Sequence, residues 1–577
     1  MNKKKVWVIL YKNNYINIKY MNVIYYFILK FIKNNIGKLL LLVIFSLIIN
    51  FLKINVISMI TASIIDAING KNKTETYKIF IYFICISIFY LTFQSFYGYL
   101  QVKILSIIRY SIRDDLVKYI LLKNSNKYSE INFSVLNSPI YRISNSIFYI
   151  FNLIVSFLIP NITMILIIFA YFLYKNLKLG SVFFIGNILV FIYIYLIRNI
   201  ILKYNSIYEN YSVKSETYII ELLNNIDKII FRGNIDDEIK NQTNLSEKTT
   251  NSSIDFYNVT IYHTYIMSLI IMVTILIIIY LMIKLFYDKN MNSTLFVTFF
   301  TVLLLYRDLI IETINRLPDL IEFYGKSDSI VSLFNKMSDK DENVEDLEKL
   351  FNEKFNKYNL DFKNIEYKDI YFKYDKGKKY ILENFNLTLN VDNKILGIVG
   401  SSGNGKSTFV KLLIKIYKYK GDISIDGVNI KDIDFRYLRK NIIYVNQNSK
   451  LFDIKVIDNL LYGCNNSNYE SCYDQLKEVI DNDKIAHIFN EIDIMNKNAG
   501  SSGENLSGGQ RQIVNLINGL ITPSKITILD EPTNGLDKDL KKNIIEIIKY
   551  FKKYKQCIII ISHDKDIYDI FDETINI

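Results

Sequence analysis

The run Gly400-Ser401-Ser402-Gly403-Asn404-Gly405-Lys406-Ser407-Thr408 has the spacing of a phosphate cradle. Glycines at its first, fourth and sixth positions let the chain curl until backbone N–H groups point inward, and a helix starting at its end adds a positive N-terminus. The apolar run Lys394–Val399 reads as the buried strand that feeds it, so the loop sits in strand–loop–helix context. Lys406 is then placed to reach the β- and γ-phosphates of a nucleoside triphosphate, and Ser407 to ligate Mg²⁺. A second apolar run, Ile526–Leu529, ends in Asp530-Glu531. Acids at the C-terminal edge of a buried strand lie where nucleotides bind in parallel sheets. Asp530 suits the metal, through water, and Glu531 the attacking water. A third run, Cys557–Ile561, leads to Ser562-His563, whose imidazole suits the γ-phosphate. His563 alone carries little weight; at the end of a third strand, in this order, it carries much.

Between the cradle and the acids lies Leu506-Ser507-Gly508-Gly509-Gln510. This resembles the signature of ABC ATPases, and the other elements fall in that family's order. The resemblance implies that Tyr374 stacks on adenine and that Gln447 is the glutamine serving both the metal and the reaction. It implies that Asn534-Gly535-Leu536-Asp537 is the D-loop and His563 the switch histidine. It assigns Ser507, Gly508, Gly509, Gln510 and Asp537 to nucleotide binding, with Ser507 and Gly509 facing the γ-phosphate held by a partner subunit. Leu451-Phe452-Asp453 and Val456–Gly463 resemble a stretch of ABC exporters, and Ser215–Arg232 resembles their second intracellular loop. The fold implied is a half-transporter: a six-helix all-α transmembrane domain followed by an α/β P-loop ATPase domain with its helical subdomain. Two such chains pair, and ATP with Mg²⁺ is the cofactor. Three departures stand out. Ser501-Ser502-Gly503 replaces a common Glu-Arg-Gly, the D-loop has Asn-Gly for Ser-Ala, and the chain stops at Ile577 with the usual final strand and helices expected to be missing.

Six apolar stretches near residues 39–63, 79–102, 147–174, 180–202, 258–284 and 294–316 are long enough to cross a bilayer core of about 30 Å. Short loops alternate with long, basic connections at 103–146 and 203–257, which places those connections and both termini on the cytoplasmic side. The connections also read as helical, at Ile108–Lys123 and Glu216–Phe231, so the spans are expected to project as rods. Their turns, the candidate coupling helices, are expected near Tyr128–Ser138 and Thr217–Asn225; two ordinary loops are the alternative. The domain reading is a cytoplasmic segment over 1–36, a transmembrane domain over 37–320, a linker over 321–362 and a nucleotide-binding domain over 363–577. Met1 and Met21 both remain open as starts.

Half of the 577 residues are apolar, and Lys plus Arg exceed Asp plus Glu by 69 − 57 = 12. The positive residues crowd the loops between apolar runs, which favours a membrane surface over nucleic acid. The four cysteines, Cys85, Cys464, Cys472 and Cys557, show no CxxC spacing and imply neither a disulfide nor zinc. Asn72-Lys73-Thr74 and Asn292-Ser293-Thr294 are glycosylation sequons in outside loops, expected by chance in a chain this rich in Asn.

Ionisable groups within spans are costly and face a cavity or a partner. Arg307 and Asp308, pointing about 100° apart on one helix, are expected not to satisfy each other. Glu312 and Arg316 have pairing distance at i,i+4. Lys53, counted from the inner end of its span, falls at a different depth from Arg307. The function read from all this is ATP-driven export or flipping of a peptide, lipid or hydrophobic small molecule by a homodimer, embedded in membrane lipid. A regulatory or channel-associated ABC protein is the alternative.

Overall fold

The structure is a computed structural model, described over residues 23–126, 137–326, 349, 358–374, 379–400, 405–446, 449–465, 467–481 and 495–577. It divides into two compact units, one drawn mainly from residues before 346 and one mainly from residues after it.

In the first unit, α1 (Val23–Phe51) runs through a π-helical turn (Leu52–Ile57) into α2 (Ser58–Asn69). There follow α3 (Lys73–Asn126), α4 (Asn137–Leu153), a second π turn (Ile154–Leu158) and α5 (Ile159–Lys175). Then come α6 (Leu177–Asn224), the short α7 (Ile226–Arg232), α8 (Ile235–Tyr287) and α9 (Ser293–Asn315). Six helical segments are long and apolar enough to cross a membrane: Ile24–Asn69, Lys73–Lys123, Ile140–Lys175, Leu177–Asn224, Ile235–Tyr287 and Ser293–Lys326. A helix such as Leu177–Asn224, 48 residues long, is about 72 Å at 1.5 Å per residue, more than twice the hydrocarbon thickness. The long connections are therefore rods, as the pattern predicts. The second turn lies later than expected: α6 continues through Thr217 to Asn224, and α7 makes the turn. Asn225, with φ −118° and ψ 22°, breaks the helix there, whereas the amphipathic pattern runs on unbroken. Most of Tyr128–Ser138 lies outside the described residues.

Local chemistry sets the loops. Asn176 joins α5 to α6 and accepts from the N–H groups of Lys178 and Leu179. The sequon residue Asn292 caps α9 by accepting from Leu295, and Asn72 takes the N–H of Glu75. Both asparagines thus satisfy helix N-termini. Inside the bundle, π turns and Pro160 divert backbone carbonyls from the helical ladder, and polar side chains take them up. Tyr97 donates to the Val155 carbonyl and Asn50 donates to that of Pro160, 2.8 Å. The long helices α6 and α8 pack so closely that a Cβ on Gly186 would lie 2.3 Å from Thr274.

The second unit carries two sheets. An antiparallel sheet has the order β2-β1-β4-β5, from β1 (Asn364–Phe372), β2 (Leu382–Asn390), β4 (Lys420–Ile425) and β5 (Val428–Asn429). A fully parallel sheet has the order β6-β7-β8-β3-β9. Its strands are β3 (Lys394–Val399), β6 (Ile442–Val445), β7 (Ile526–Asp530), β8 (Cys557–Ile561) and β9 (Glu573–Asn576). The apolar runs of β7 and β8 are buried throughout, as in sheets covered on both faces. Helices α10 (Lys406–Leu413), α11 (Phe435–Asn441), α12 (Val456–Leu460), α13 (Tyr469–Ile480), α14 (Gly508–Ile521) and α15 (Lys538–Phe551) complete the unit.

Two expectations are overturned here. The final strand is present: β9 pairs in parallel with β3, Ile575 opposite Ile398. Only Ile575 of its four residues is apolar, so an edge strand with little periodicity escapes pattern reading. A disulfide is also present, between Cys464 and Cys472, with Cα atoms 6.5 Å apart. The turn between Gly463 and the start of α13 folds the eight-residue separation back on itself, which no spacing rule reveals.

Candidate functional site

Sheet order assembles the first site. In β3, β8 and β7, which are neighbours, Ile398, Ile561 and Asp530 stand level. The loops leaving them, which carry the cradle, His563 and Glu531, therefore emerge side by side. Gly405 begins α10 with φ +85°, a backbone state that disfavours side chains, and a Cβ there would meet Ile381 at 3.0 Å.

A cavity of about 380 Å³ gathers Tyr374, Gly405, Lys406, Ser407, Thr408, Asp530, Glu531 and His563. Its floor is Asp530, 7% exposed. One carboxylate oxygen accepts from Ser407 Oγ at 3.0 Å and the other from Tyr444 OH at 2.5 Å. Burial, then the Asp530 charge, pushes the Tyr444 phenol well above its ordinary pKa, so it stays a donor. Tyr444 is a residue the sequence reading passes over; its signal is a polar tip on β6, level with Ile528 of β7. The convergence of the Ser407 hydroxyl with the Asp530 carboxylate offers hard oxygen ligands of the kind Mg²⁺ takes.

Glu531 has φ +52°, an uncommon conformation for a residue with a side chain. Its N–H bonds the Ile561 carbonyl, which fixes it against β8. One carboxylate oxygen lies 2.8 Å from His563 Nδ1, and the other is buried with no hydrogen-bond partner among the described residues. An acid oriented by an imidazole, with one oxygen open, has the arrangement of a group that binds a water. Gln512 donates to the carbonyls of Glu531 and Pro532 and holds the turn from the other side. Burial works the other way, but Lys541 at 2.6 Å and Thr533 at 2.9 Å hold the Asp564 carboxyl below its ordinary pKa and brace the loop after His563.

Lys406 donates to the Gly400 carbonyl at 2.9 Å. Tyr374 OH lies 3.0 Å from Thr408 Oγ1, so the expected adenine-stacking ring sits at the cradle's end. Ser401, Ser402, Gly403, Asn404 and Gln447 lie outside the described residues.

The signature falls elsewhere. Ser507 caps α14 in a reciprocal box: its Oγ accepts from Gln510 N–H at 3.2 Å, and Gln510 Oε1 accepts from Ser507 N–H at 3.1 Å. Gly508 and Gly509 line a separate cavity of about 520 Å³ with Ser502, Arg511 and Gly535; of the described residues, it shares only Asn534 with the first. Asp537 lines neither cavity; it caps α15, accepting from Leu540 N–H at 2.9 Å.

In the first unit, the polar face of α9 corrects two expectations. Arg307 and Asp308 do satisfy each other, through Nε at 2.9 Å and Nη2 at 2.8 Å. A long guanidinium stem bends round the helix, which angles between Cα–Cβ directions leave out. Arg316 pairs with Asp319 at 3.6 Å, and no ion pair is found for Glu312 among the described residues. Asp308, Ile311, Glu312, Asn315 and Arg316 line a cavity of about 490 Å³.

Comparisons with known proteins agree with this construction. The family model of the ABC transporter matches residues 382–534, and that of the ABC transporter transmembrane region matches residues 39–308. Similar curated proteins include ABC transporter B family member 26 of Arabidopsis thaliana, 32% identical over 35% of this chain and 29% of the relative. A lactococcin-A transport/processing ATP-binding protein of Lactococcus lactis is 34% identical over 37% of this chain and 29% of the relative. An ATP-dependent lipid A-core flippase of Colwellia psychrerythraea is 30% identical over 37% and 36%. The aligned stretch thus spans about a third of each relative's length. A solved bacterial Atm1-family ABC exporter with ATP bound superposes with a TM-score of 0.75 at 16% identity, over 95% of this chain and 93% of the other. That likeness is one of fold.

Proposed function

From the premise that this chain belongs to the ABC transporter family, whose transmembrane and nucleotide-binding regions it joins in one polypeptide, we propose that it is one half of an ATP-driven exporter. The observation that carries this is the division of the nucleotide machinery. Lys406, Ser407, Asp530, Glu531 and His563 share one cavity, while Gly508 and Gly509 line another. One chain holds both faces of an ATP sandwich but not in the same place, so a second copy, head to tail, completes each. A homodimer has two complete sites.

Lys406 and the cradle hold the phosphates, with Tyr374 on the base. Ser407 and Asp530 would hold Mg²⁺, whose charge would offset that of the phosphates. Glu531 orients the attacking water and His563 holds Glu531 toward it. The α14 N-terminus of the partner meets the γ-phosphate, so closure is favoured only while that group is present. The basic connections 103–146 and 203–257 support a cytoplasmic side for the ATPase half and both termini. The tip at α7 exposes Ile226, Ile230 and Phe231, an apolar surface at the end of a long helical rod. The substrate is a peptide, a lipid or a hydrophobic small molecule, and the cavity lined by Asp308, Glu312, Asn315 and Arg316 offers charged groups of both signs to its polar part.

The test is a panel of cationic, zwitterionic and anionic peptides and amphiphiles, each assayed for stimulation of ATP hydrolysis by the full chain in nanodiscs. Hits are then tested for ATP-dependent transport into liposomes. A compound that stimulates should be transported, and Asp308→Leu or Glu312→Leu should reduce stimulation while basal hydrolysis persists. Hydrolysis by a proven monomer would overturn the dimer; unchanged stimulation in Asp308→Leu and Glu312→Leu would remove α9 from substrate binding.

A further inference from the structure

The bond between Cys464 and Cys472 lies in an unexpected place. Cys472 is 1% exposed on α13, and Cys464 is partly buried in the turn after α12. Both sulfurs lie at the C-terminal end of α14, whose other end is the signature. Cys472 Sγ is 4.0 Å from the Ile521 carbonyl, and Asn518 donates to the carbonyls of Leu460 and Tyr462, four and two residues before Cys464. Thr522 Oγ1 also reaches the Tyr462 carbonyl, at 3.3 Å. The turn is thus already tied to α14 by three side-chain hydrogen bonds, and Val456, Leu460, Leu476, Val479, Ile513 and Ile517 form a continuous apolar core around it. A bridge closing so short a loop restrains the unfolded chain less than one across a long loop, and the turn is already held by these contacts.

Structural disulfides do not persist in a reducing cytoplasm; those found there are catalytic or redox-sensing. We propose that Cys464 and Cys472 form a reversible thiol–disulfide site that responds to the low-molecular-weight thiol pool, a glutathione-type couple. The inference rests on the cytoplasmic placement of the ATPase half proposed above. The more accessible Cys464 thiolate attacks a low-molecular-weight disulfide, forming a mixed disulfide and releasing one thiol. The Cys472 thiolate then attacks Cys464 Sγ, closing the bridge and releasing the second thiol. The two protons lost by the protein thiols are taken up by the two departing thiolates, so the two protein sulfurs are oxidised and the small disulfide is reduced to two thiols, with no net proton released. The chain neighbours of Cys464, Gly463 and Asn465, line a cavity of about 650 Å³ with Asn468 and Thr522, and Cys464 itself is only partly buried. Cys85 is exposed and Cys557 is buried, and neither is bonded, so the chain carries its own unpaired controls.

The full chain in nanodiscs is equilibrated at graded ratios of reduced to oxidised glutathione, alkylated with N-ethylmaleimide, digested and weighed. The peptide spanning both cysteines should pass from doubly alkylated to internally bridged as the ratio falls, and return with added reductant. Hydrogen exchange of Tyr462–Cys472 should slow several-fold in the bridged form. Cys464→Ser and Cys464→Ala should abolish the bridged species, whereas Cys85→Ser should leave its titration unchanged. Two thiols alkylated at every ratio would show that no bond forms. A bridge surviving the most reducing ratio would show a fixed structural bond. Either result overturns the proposal, and because the readout is thiol mass, it is independent of whether the chain hydrolyses ATP or transports anything.

Discussion

Two buried carboxylates, one in each unit, are housed in opposite ways. Asp530 has a hydroxyl donor on each oxygen, from Ser407 and Tyr444. Glu209, 3% exposed on α6, has no hydrogen bond to either oxygen among the described residues. Arg142 stands 3.7 Å from it but makes its closer contact, 2.7 Å, with Glu216. Lys326, paired at 2.5 Å with Glu322, adds positive charge nearby. A desolvated charge with incomplete compensation costs free energy in the arrangement that holds it. Asp530 thus sits in a finished pocket, whereas Glu209 on the helical rods keeps a charge short of partners.

The largest effect that tests the finished pocket is Glu531→Gln. It keeps the shape and the His563 contact but removes the base. Turnover should fall by about 10²-fold or more, while ATP affinity, read by a fluorescent analogue, stays within about twofold. Near-normal turnover would mean that the open oxygen of Glu531 does not address the water.

The rods give the next effect. Arg142→Met takes the nearest cation from buried Glu209 and breaks the half-exposed pair with Glu216, and should lower stability by about 1 kcal/mol. Glu209→Gln removes the poorly compensated charge and should leave the melting temperature unchanged or raised. Thermal unfolding of the full chain in detergent compares the two. If Glu209→Gln is as damaging as Arg142→Met, Glu209 is well compensated and the contrast with Asp530 collapses. A comparable effect belongs to Tyr444→Phe, which strips one donor from Asp530. A hydrogen bond to a charged group contributes about 1.5 kcal/mol, so the Mg²⁺ concentration for half-maximal hydrolysis should rise about tenfold. An unchanged requirement would mean that Ser407 alone positions the acid.

The two units also differ in how much of them the sequence discloses. The nucleotide cavity is legible because its residues sit at strand ends, where a fixed hydrogen-bond register carries sequence order into space. Gly405, Lys406, Ser407, Asp530, Glu531 and His563 converge as their order predicts. Residues whose function depends on a cross-strand neighbour, such as Tyr444, leave no local trace. Asp537 shows the converse: a motif position assigned to nucleotide is occupied in capping α15. In the helical unit the spans are legible from length and hydropathy, but side-chain reach is not. Arg307 bending back to Asp308 and the break at Asn225 both depend on conformations that periodicity averages away. The bridge between Cys464 and Cys472 depends on a turn of the same kind.

The smallest effect asks whether the ATPase unit is as well compensated throughout as it is at Asp530. Lys555, 6% exposed, donates to the Thr522 carbonyl at 2.6 Å and to Ser524 Oγ at 2.9 Å, and makes no ion pair among the described residues. Burial pushes its ammonium down to about 7. A neutral amine still supplies both donors, so the contacts survive deprotonation. Because the folded value lies below that of the unfolded chain, the unfolded state binds more protons between about pH 7 and 10.5, and stability rises with pH across that window. The contribution is flat well below pH 7 and is gained in full only above the unfolded value. Between pH 6.5 and 7.5 the gain from this one group is about 0.7 kcal/mol, or roughly 2 °C in the melting temperature of a domain of this size. Lys555→Gln keeps a donor and cannot titrate, so the difference between wild type and variant isolates the group from every other that titrates. The wild-type melting temperature should climb relative to the variant's over that interval. A difference that stays constant with pH would mean that Lys555 remains charged and well solvated. The ATPase unit would then hold every buried charge as fully as it holds Asp530, and under-compensation would belong to the rods alone.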